Sequence, residues 1–463
     1  MTMRSNPRRM SATSGMSVIS RTSHMSVWSA RLGNVVEEYI VSGGTPAKVT
    51  PVVSPRSRRQ QGWEMDYMKA EIDRYKWGSG SGLEDAPSLN EEGCYGSNGP
   101  QVLLHTSKGF LDEAVAPFGP LRGKEKDTAV MNAVGAALAL FKAMQELWSH
   151  VISTEVQVHR RKAGSSRSSR KIPPSRPPHP CSNFAIHHGF VSRTITLAND
   201  QLKCAELLES YWGDAKQMLF SRSDQAVLDE WMITAIEGYI ALSKQCLASL
   251  VSITLLFAKP SLKTLFQEPW YQSGGTVMLA ITQQIDIALS TSQSYLHPTL
   301  FEALAGSLLD AFLVMYLTAL CNVKTKLRMP EAVELVKQDV RVAFQFFAGL
   351  KQAELNEFDV MEMLLPMLEV QGCDLVRLLV PPYWAFARRF GPNLDFVEAL
   401  SRSRGDVSKA VLKEAMSILR GKVKSERMAN RSQGVIEMVV LPKKLKLGVP
   451  GLSPLRKLAQ TRL

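Results

Sequence analysis

His179, Cys181, His187 and His188 form the densest grouping of metal-ligating residue types in the chain. Zinc would need them on one compact turn, held by a second layer of hydrogen bonds. They flank a proline-rich stretch at irregular spacing instead, which reads as solvated linker histidines. Arg404-Gly405-Asp406 spells an adhesion tripeptide. It reads better as a helix stop at Gly405 followed by an N-cap at Asp406. Glu354, Glu357, Asp359 and Glu362 gather carboxylates of the kind that move protons. No acid/base partner accompanies them, and a hydrated helix start accounts for the cluster. Val360, Met363, Leu364 and Met367 fall at helical spacing and read as core. The chain carries no GxxxxGK[ST] loop, strand-linked GxGxxG, HExxH, GxSxG or kinase motif set. The expectation is a protein that is not an enzyme, with no catalytic, cofactor-binding or metal-binding residue, no cofactor and no small-molecule substrate. Its binding residues stay unidentified.

The elements that would position these groups are helices. Val130, Val134, Ala137, Leu138, Phe141, Met144 and Trp148 step by three or four and predict one long helix over 125–158. Ile195 to Trp212 and Trp231 to Ile253 repeat the pattern. Further helices are expected over 275–292, 298–324, 331–351, 357–370, 374–389, 394–402 and 407–420. Their separators are short and carry Gly, Pro or Asn, which favours antiparallel neighbours. Pro330-Glu331 suits a first helical turn. Residues 83–123 read as turn-rich, Trp63–Trp77 as a short helix, and Val435–Leu441 as one short strand or tail. The fold class is all-α: an elongated stack of antiparallel helical bundles, a helical rod. No fixed internal period supports a regular repeat array.

The 463 residues suggest about two to four domains or sub-domains. The expected divisions are a disordered basic leader at 1–60, a first helical region at 61–158, a basic Pro/Ser-rich linker or insertion at 159–182, a helical bundle at 183–262, a C-terminal helical bundle at 263–425 and a basic tail at 426–463. The net charge of +12 is uneven: 1–60 carries +7, 155–182 carries +6 and 421–463 carries +8, which leaves −9 for the rest. The body is mildly acidic, and the basic segments are suited to phosphate or anionic lipid. They lack the interleaved aromatics of a base-stacking platform, so nucleic acid is the weaker partner. Six cysteines with no CxxC pair fit a reducing compartment and no disulfide scaffold. The apolar stretches 129–141, 246–258 and 311–321 are too short to cross a bilayer and read as core helix. The Ser/Arg-rich start has no acid before Glu37, which fits a disordered leader or, alternatively, a mitochondrial transit segment.

Several short motifs then align with one family. Asn90 to Tyr95, continuing through Pro100 to Leu103, resembles an acidic-Gly-x-Tyr pattern followed by Pro and a Leu-Phe pair, with Leu104 in place of the Phe. Ile195–Leu208, with Asn199 and Cys204, resembles an I-x-N-N-x-x-x-C helix. Leu265-Phe266 and Trp270 resemble an LF-x-x-x-W helix start, and Asp310, Val314, Tyr316-Leu317 and Ala319-Leu320 a D-x-V-x-x-YL-x-AL helix. Pro330-Glu331, Asp339 and Phe346-Phe347 follow in order, and Leu400 with Arg404-Gly405-Asp406 and Ser408 resembles L-x-x-RGD-x-S. Together they make roughly residues 60–425 similar to the Sec-six family, exocyst complex component three, in its C-terminal half. The resemblance implies the helical rods of tethering complexes and a subunit of the exocyst, which tethers secretory vesicles to the plasma membrane before SNARE-mediated fusion. It implies other exocyst subunits and SNARE proteins as partners, and a cytoplasmic location, peripheral at plasma-membrane sites of exocytosis. The family's N-terminal coiled-coil half has no counterpart here, and 159–182 and the tail beyond 425 are unmatched. The matched positions look like packing positions.

Overall fold

Apolar residues at helical spacing fold this chain into helices packed side by side. The structure, a computed structural model, describes residues 88–165, 181–273, 275–322, 326–351, 356–426, 434–439 and 441. The α-helices in chain order are α1 (Gly99–Val115), α2 (Lys124–Ser165), α3 (Cys181–Met218), α4 (Arg222–Leu262), α5 (Glu268–Gln272), α6 (Thr276–Tyr295) and α7 (Pro298–Leu320). They continue with α8 (Glu331–Lys351), α9 (Asp359–Glu369), α10 (Leu375–Leu378), α11 (Val380–Phe390), α12 (Leu394–Ser403), α13 (Lys409–Ser425) and α14 (Val435–Met438). The architecture is all-α; among the described residues the β-structure is limited to the isolated bridges Leu89–Tyr95 and Leu327–Arg404. All described residues belong to one compact unit, Lys48–Leu463.

Local chemistry sets the helix ends. Glu125 and Asp127 occupy the first turn of α2, where carboxylates meet the unpaired N–H groups. The Ser221 hydroxyl accepts from the Asp224 N–H and caps α4, and the Ser408 hydroxyl accepts from the Val411 N–H and caps α13. Because only Leu219, Phe220 and Ser221 join α3 to α4, the two run antiparallel, and they pack along their length. Asp127 ties that turn to α2 by accepting from the Phe220 and Ser221 N–H groups at 3.0 and 2.8 Å. α1 packs on α2 and α3, and α4 on α2, α6 and α7. α8 covers α6 and α7, α9 lies against α8 and α11, and α13 joins α10 to α12.

The core is centred on α4 and α7. Both are long and apolar enough to cross a membrane, so their helices outlast the short apolar stretches seen in the sequence. More than half of each apolar window is buried inside the protein, 56% for α4 and 67% for α7. In α7 every residue from Leu308 to Val314 is buried, as expected for a helix covered on all sides.

Several expectations need correction. Residues 83–123 are not all turn: Gly99-Pro100 opens α1, since proline in a first turn gives up an N–H that has no partner there anyway. The stretch read as a linker from 159 begins as helix; α2 runs on through His159-Arg-Arg-Lys162 to Ser165, because those residues tolerate a helix well. At its far side α3 starts at Cys181, directly after Pro180. The helix expected over 374–389 is split by Leu379 into α10 and α11, at the Pro381-Pro382 pair. The segment read as a strand or tail at 435–441 contains one helical turn, α14. The leader 1–60, the helix at Trp63–Trp77, residues 166–180, and residue 440 with the tail from 442 onward lie outside the described residues.

Candidate functional site

Three buried polar junctions tie the helices together, and each is built from residues singled out in the sequence. The first is the loop 88–97. Asn90 Oδ1 accepts from the Glu92 and Cys94 N–H groups and shapes the turn. The Tyr95 N–H donates to the Tyr295 carbonyl at 3.0 Å, and the two rings stack with centroids 4.0 Å apart. Asn199, on α3, donates through Nδ2 to both the Tyr95 and Tyr295 carbonyls and accepts the His297 N–H on Oδ1. Its neighbour Asp200 accepts from the Ser97 N–H and hydroxyl. Adjacent residues of α3 thus bind the loop to the α6–α7 turn.

The second junction lies where α5, α7 and α8 meet. Asp339 is fully buried, and its Oδ2 accepts from Trp270 Nε1 at 2.9 Å and from the Tyr316 hydroxyl at 3.1 Å. Oδ1 has no hydrogen-bond partner among the described residues. Burial pushes the carboxyl up to about 7, and the two donors offset that only in part. Phe266 closes one side, edge-on to Trp270 and Tyr316 at 5.0 and 5.1 Å. Its φ is 61°, a left-handed conformation that costs a non-glycine residue about 1 kcal/mol and is held here by ring burial. A carboxyl near neutrality resembles a general acid or base. Here it faces two neutral donors with no solvent contact, so its chemistry is that of a tie.

The third junction is the tripeptide. Arg404 is almost fully buried, 2% exposed. It donates to the Met367 carbonyl at 3.2 Å, to the Val370 carbonyl, and through Nε and Nη2 to both oxygens of Asp406 at 3.0 and 2.8 Å. Asp406 accepts in turn from the Gly372 N–H. Burial pushes its carboxyl up, but Arg404 and the Gly372 N–H outweigh this and hold it below the usual carboxylate range. Leu327 donates its N–H to the Ser403 carbonyl and accepts the Gly405 N–H. The helix-stop reading therefore needs revision. α12 ends at Ser403, Ser408 rather than Asp406 caps α13, and Gly405 is required by the close approach of the Leu327 carbonyl, which a Cβ would meet at 2.9 Å. A guanidinium turned inward cannot be offered to an adhesion receptor.

The other candidates disperse. Of the acidic cluster, Asp359 pairs with Arg389, and Glu354 lies outside the described residues. Val360, Leu364 and Met367 are buried as expected, with Met363 at the edge. His179 and the side chains of Cys181, His187 and His188 lie outside the described residues, among which no metal-ligating group of three or more occurs. The large apolar side chains left exposed include Leu121 and Phe220, in the two turns flanking Asp127, and Val227 and Ile233 on α4. None of these was singled out by sequence, since helical period cannot tell an exposed apolar residue from a core one.

Comparison with known proteins matches this arrangement. A family model, "Exocyst complex component Sec6", matches residues 59–409, a span that contains all three junctions. The exocyst complex component sec6 of Schizosaccharomyces pombe (strain 972 / ATCC 24843) is 23% identical over 343 residues, 73% of this chain and 41% of the relative. The chain thus spans under half the length of that curated relative. The crystal structure of the C-terminal domain of the exocyst subunit Sec6p shares the fold, with a TM-score of 0.66 at 15% identity over 94% of this chain and 100% of that one.

Proposed function

The chain belongs to the Sec6 family of exocyst components, and from that premise we propose that it acts as a non-catalytic subunit of an exocyst-type complex that tethers secretory vesicles to the plasma membrane before SNARE-mediated fusion. The observation carrying this reading is the family match across 59–409, with every junction inside it. The polar residues of those junctions point inward and are spent on holding helices together. What remains for partners is the outer faces of long helices, suited to helix-in-groove or coiled-coil-like docking.

Other exocyst subunits are the first partners of this reading, and SNARE proteins the second. The basic segments at 1–60, 155–182 and 421–463 suit an anionic membrane surface, at ~1 kcal/mol per basic residue near it. The location that follows is cytoplasmic, peripheral at sites of exocytosis. Mild affinity purification of the intact chain from its native cell, followed by mass spectrometry, tests the reading. Recovery of sister exocyst subunits supports it; an intact bait that brings down none of them refutes it. For the membrane contribution, vesicle co-sedimentation should weaken steeply as salt rises. Salt-independent sedimentation would remove the lipid arm.

A further inference from the structure

Two turns meet at one end of the helix packing, and each puts a large apolar side chain into solvent. In the turn from α1 to α2, residues 116–123, Leu121 is 68% exposed; in the turn from α3 to α4, Leu219 to Ser221, Phe220 is 69% exposed. They are the most exposed large hydrophobic residues among those described. Asp127, buried in the first turn of α2, holds the two turns side by side, since its oxygens accept from the Phe220 and Ser221 N–H groups. The turn that carries Leu121 is stiff. Pro117 and Pro120 fix their own φ angles, and the Lys126 ammonium donates to the Gly119 carbonyl at 3.1 Å. Gly119 has φ 48°, a conformation that glycine adopts without steric cost.

The neighbours of these two side chains show what they face. Arg122 follows Leu121 directly, Arg222 stands two places after Phe220, and both are exposed. Lys124 and Lys126 add two more cations at the start of α2. The nearby carboxylates are spent or set back within the helices. Asp127 accepts from backbone N–H groups, Glu125 and Asp224 occupy the first turns of α2 and α4, and Asp112 and Glu113 lie near the end of α1. Apolar side chains at the outermost points, with guanidiniums close behind them, fit the boundary between headgroups and acyl chains. There the ring and methyl groups leave water while the cations stay among phosphates.

We propose that this end of the helix packing is a membrane-inserting tip. Leu121 and Phe220 enter the outer acyl region of an anionic leaflet, and Arg122 and Arg222 hold its phosphates. The tip deepens the membrane arm of the function proposed above, which assigns the anionic surface to the basic segments; those attract the surface, whereas the tip enters it.

The test uses the full chain with vesicles of equimolar phosphatidylcholine and phosphatidylserine. Leu121→Ser combined with Phe220→Ser keeps every charge and alters only solvent-facing side chains, so folding is unaffected. It should weaken co-sedimentation at least tenfold at physiological salt and leave the salt dependence as it was. Insertion itself is read by an NBD label at Phe220→Cys, in a Cys181→Ser, Cys373→Ser background whose remaining cysteines are buried. Lipids with a nitroxide on the acyl chain should quench that label, and should not quench the same label at Leu378→Cys, an exposed position on α10. Unchanged sedimentation of the double variant, an unquenched label at position 220, or equal quenching at both positions overturns the proposal. Only purified chain and lipid are used, so the result stands apart from the recovery of exocyst subunits.

Discussion

Arg404 and Asp339 both sit deep inside the helix packing, yet burial treats them differently. Arg404 meets a carboxylate and two carbonyls, and its partner Asp406 is held in the charged form. Asp339 meets only the neutral donors of Trp270 and Tyr316, and burial pushes its carboxyl up to about 7. Burial alone does not set the charge of an interior group; a counter-charge with directed hydrogen bonds does. Around Arg404 the short segments 367–372 and 403–406 are fixed by charge. At the α5, α7 and α8 crossing, aromatic packing does most of the work and the carboxyl is tolerated.

The largest effect should come from the charged side. Arg404→Met leaves Asp406 with only the Gly372 N–H in place of its counter-charge and takes the guanidinium from the Met367 and Val370 carbonyls, and should destabilise the protein by about 4 kcal/mol. Denaturant titration at neutral pH checks it; a loss near zero would break the contrast, since the pair would then be no anchor. In the unaltered protein the contribution of Asp406, whose folded pKa is lowered, is present above the ordinary carboxylate pKa and lost as pH falls through the folded one. Arg404→Met should lack that acid limb.

Gly372→Ala probes the same junction sterically. An added Cβ would lie 2.3 Å from the Asp406 carbonyl oxygen, so backbone must move. A loss of about 2 to 3 kcal/mol is expected in the same titration.

Asp339→Asn should go the other way. A carboxyl raised from 3.8 to about 7 stabilises the fold fully below the unfolded value, and that stabilisation disappears as pH rises through the folded one. The bound on this effect is on the order of 4 kcal/mol. Asn keeps an oxygen for Trp270 and Tyr316 but places an NH2 where Oδ1 had no partner, so the net gain at pH 8 should be about 2 kcal/mol. Melting curves from pH 4 to pH 8 should diverge upward to pH 7 and then run parallel. A constant difference would mean that Asp339 is already charged. The smallest effect belongs to Ser408→Ala, which removes the α13 cap for about 1 kcal/mol without touching either buried group.

The sequence made one half of this visible. Helices α2, α3 and α4 follow from apolar period, and α6, α7 and α8 from the Gly and Pro residues that bound them, because these signals are local. The junctions do not. Arg404 reaches the Met367 and Val370 carbonyls 37 and 34 residues away, and Trp270 reaches Asp339 across 69, distances at which no periodicity speaks. Asp406 looked like a cap because Asp commonly caps helices, but its carboxylate is taken by Arg404 and Gly372. Gly99-Pro100 looked like a turn for the same kind of reason, since proline marks turns and first helical turns alike. Trp270, Tyr316, Asp339 and Asn199 were marked only through the family resemblance, without roles; the folded chain supplies the roles.

The most direct measurement is the quantity of sister exocyst subunits recovered with the intact chain from its native cell, compared among the unaltered protein, Asp339→Asn and Arg404→Met. If the junctions only hold the scaffold and the outer helix faces dock partners, Asp339→Asn should recover them as the unaltered chain does, and Arg404→Met should lose them in step with its loss of folded protein. An intact, folded, unaltered chain that recovers no exocyst subunit would contradict the account.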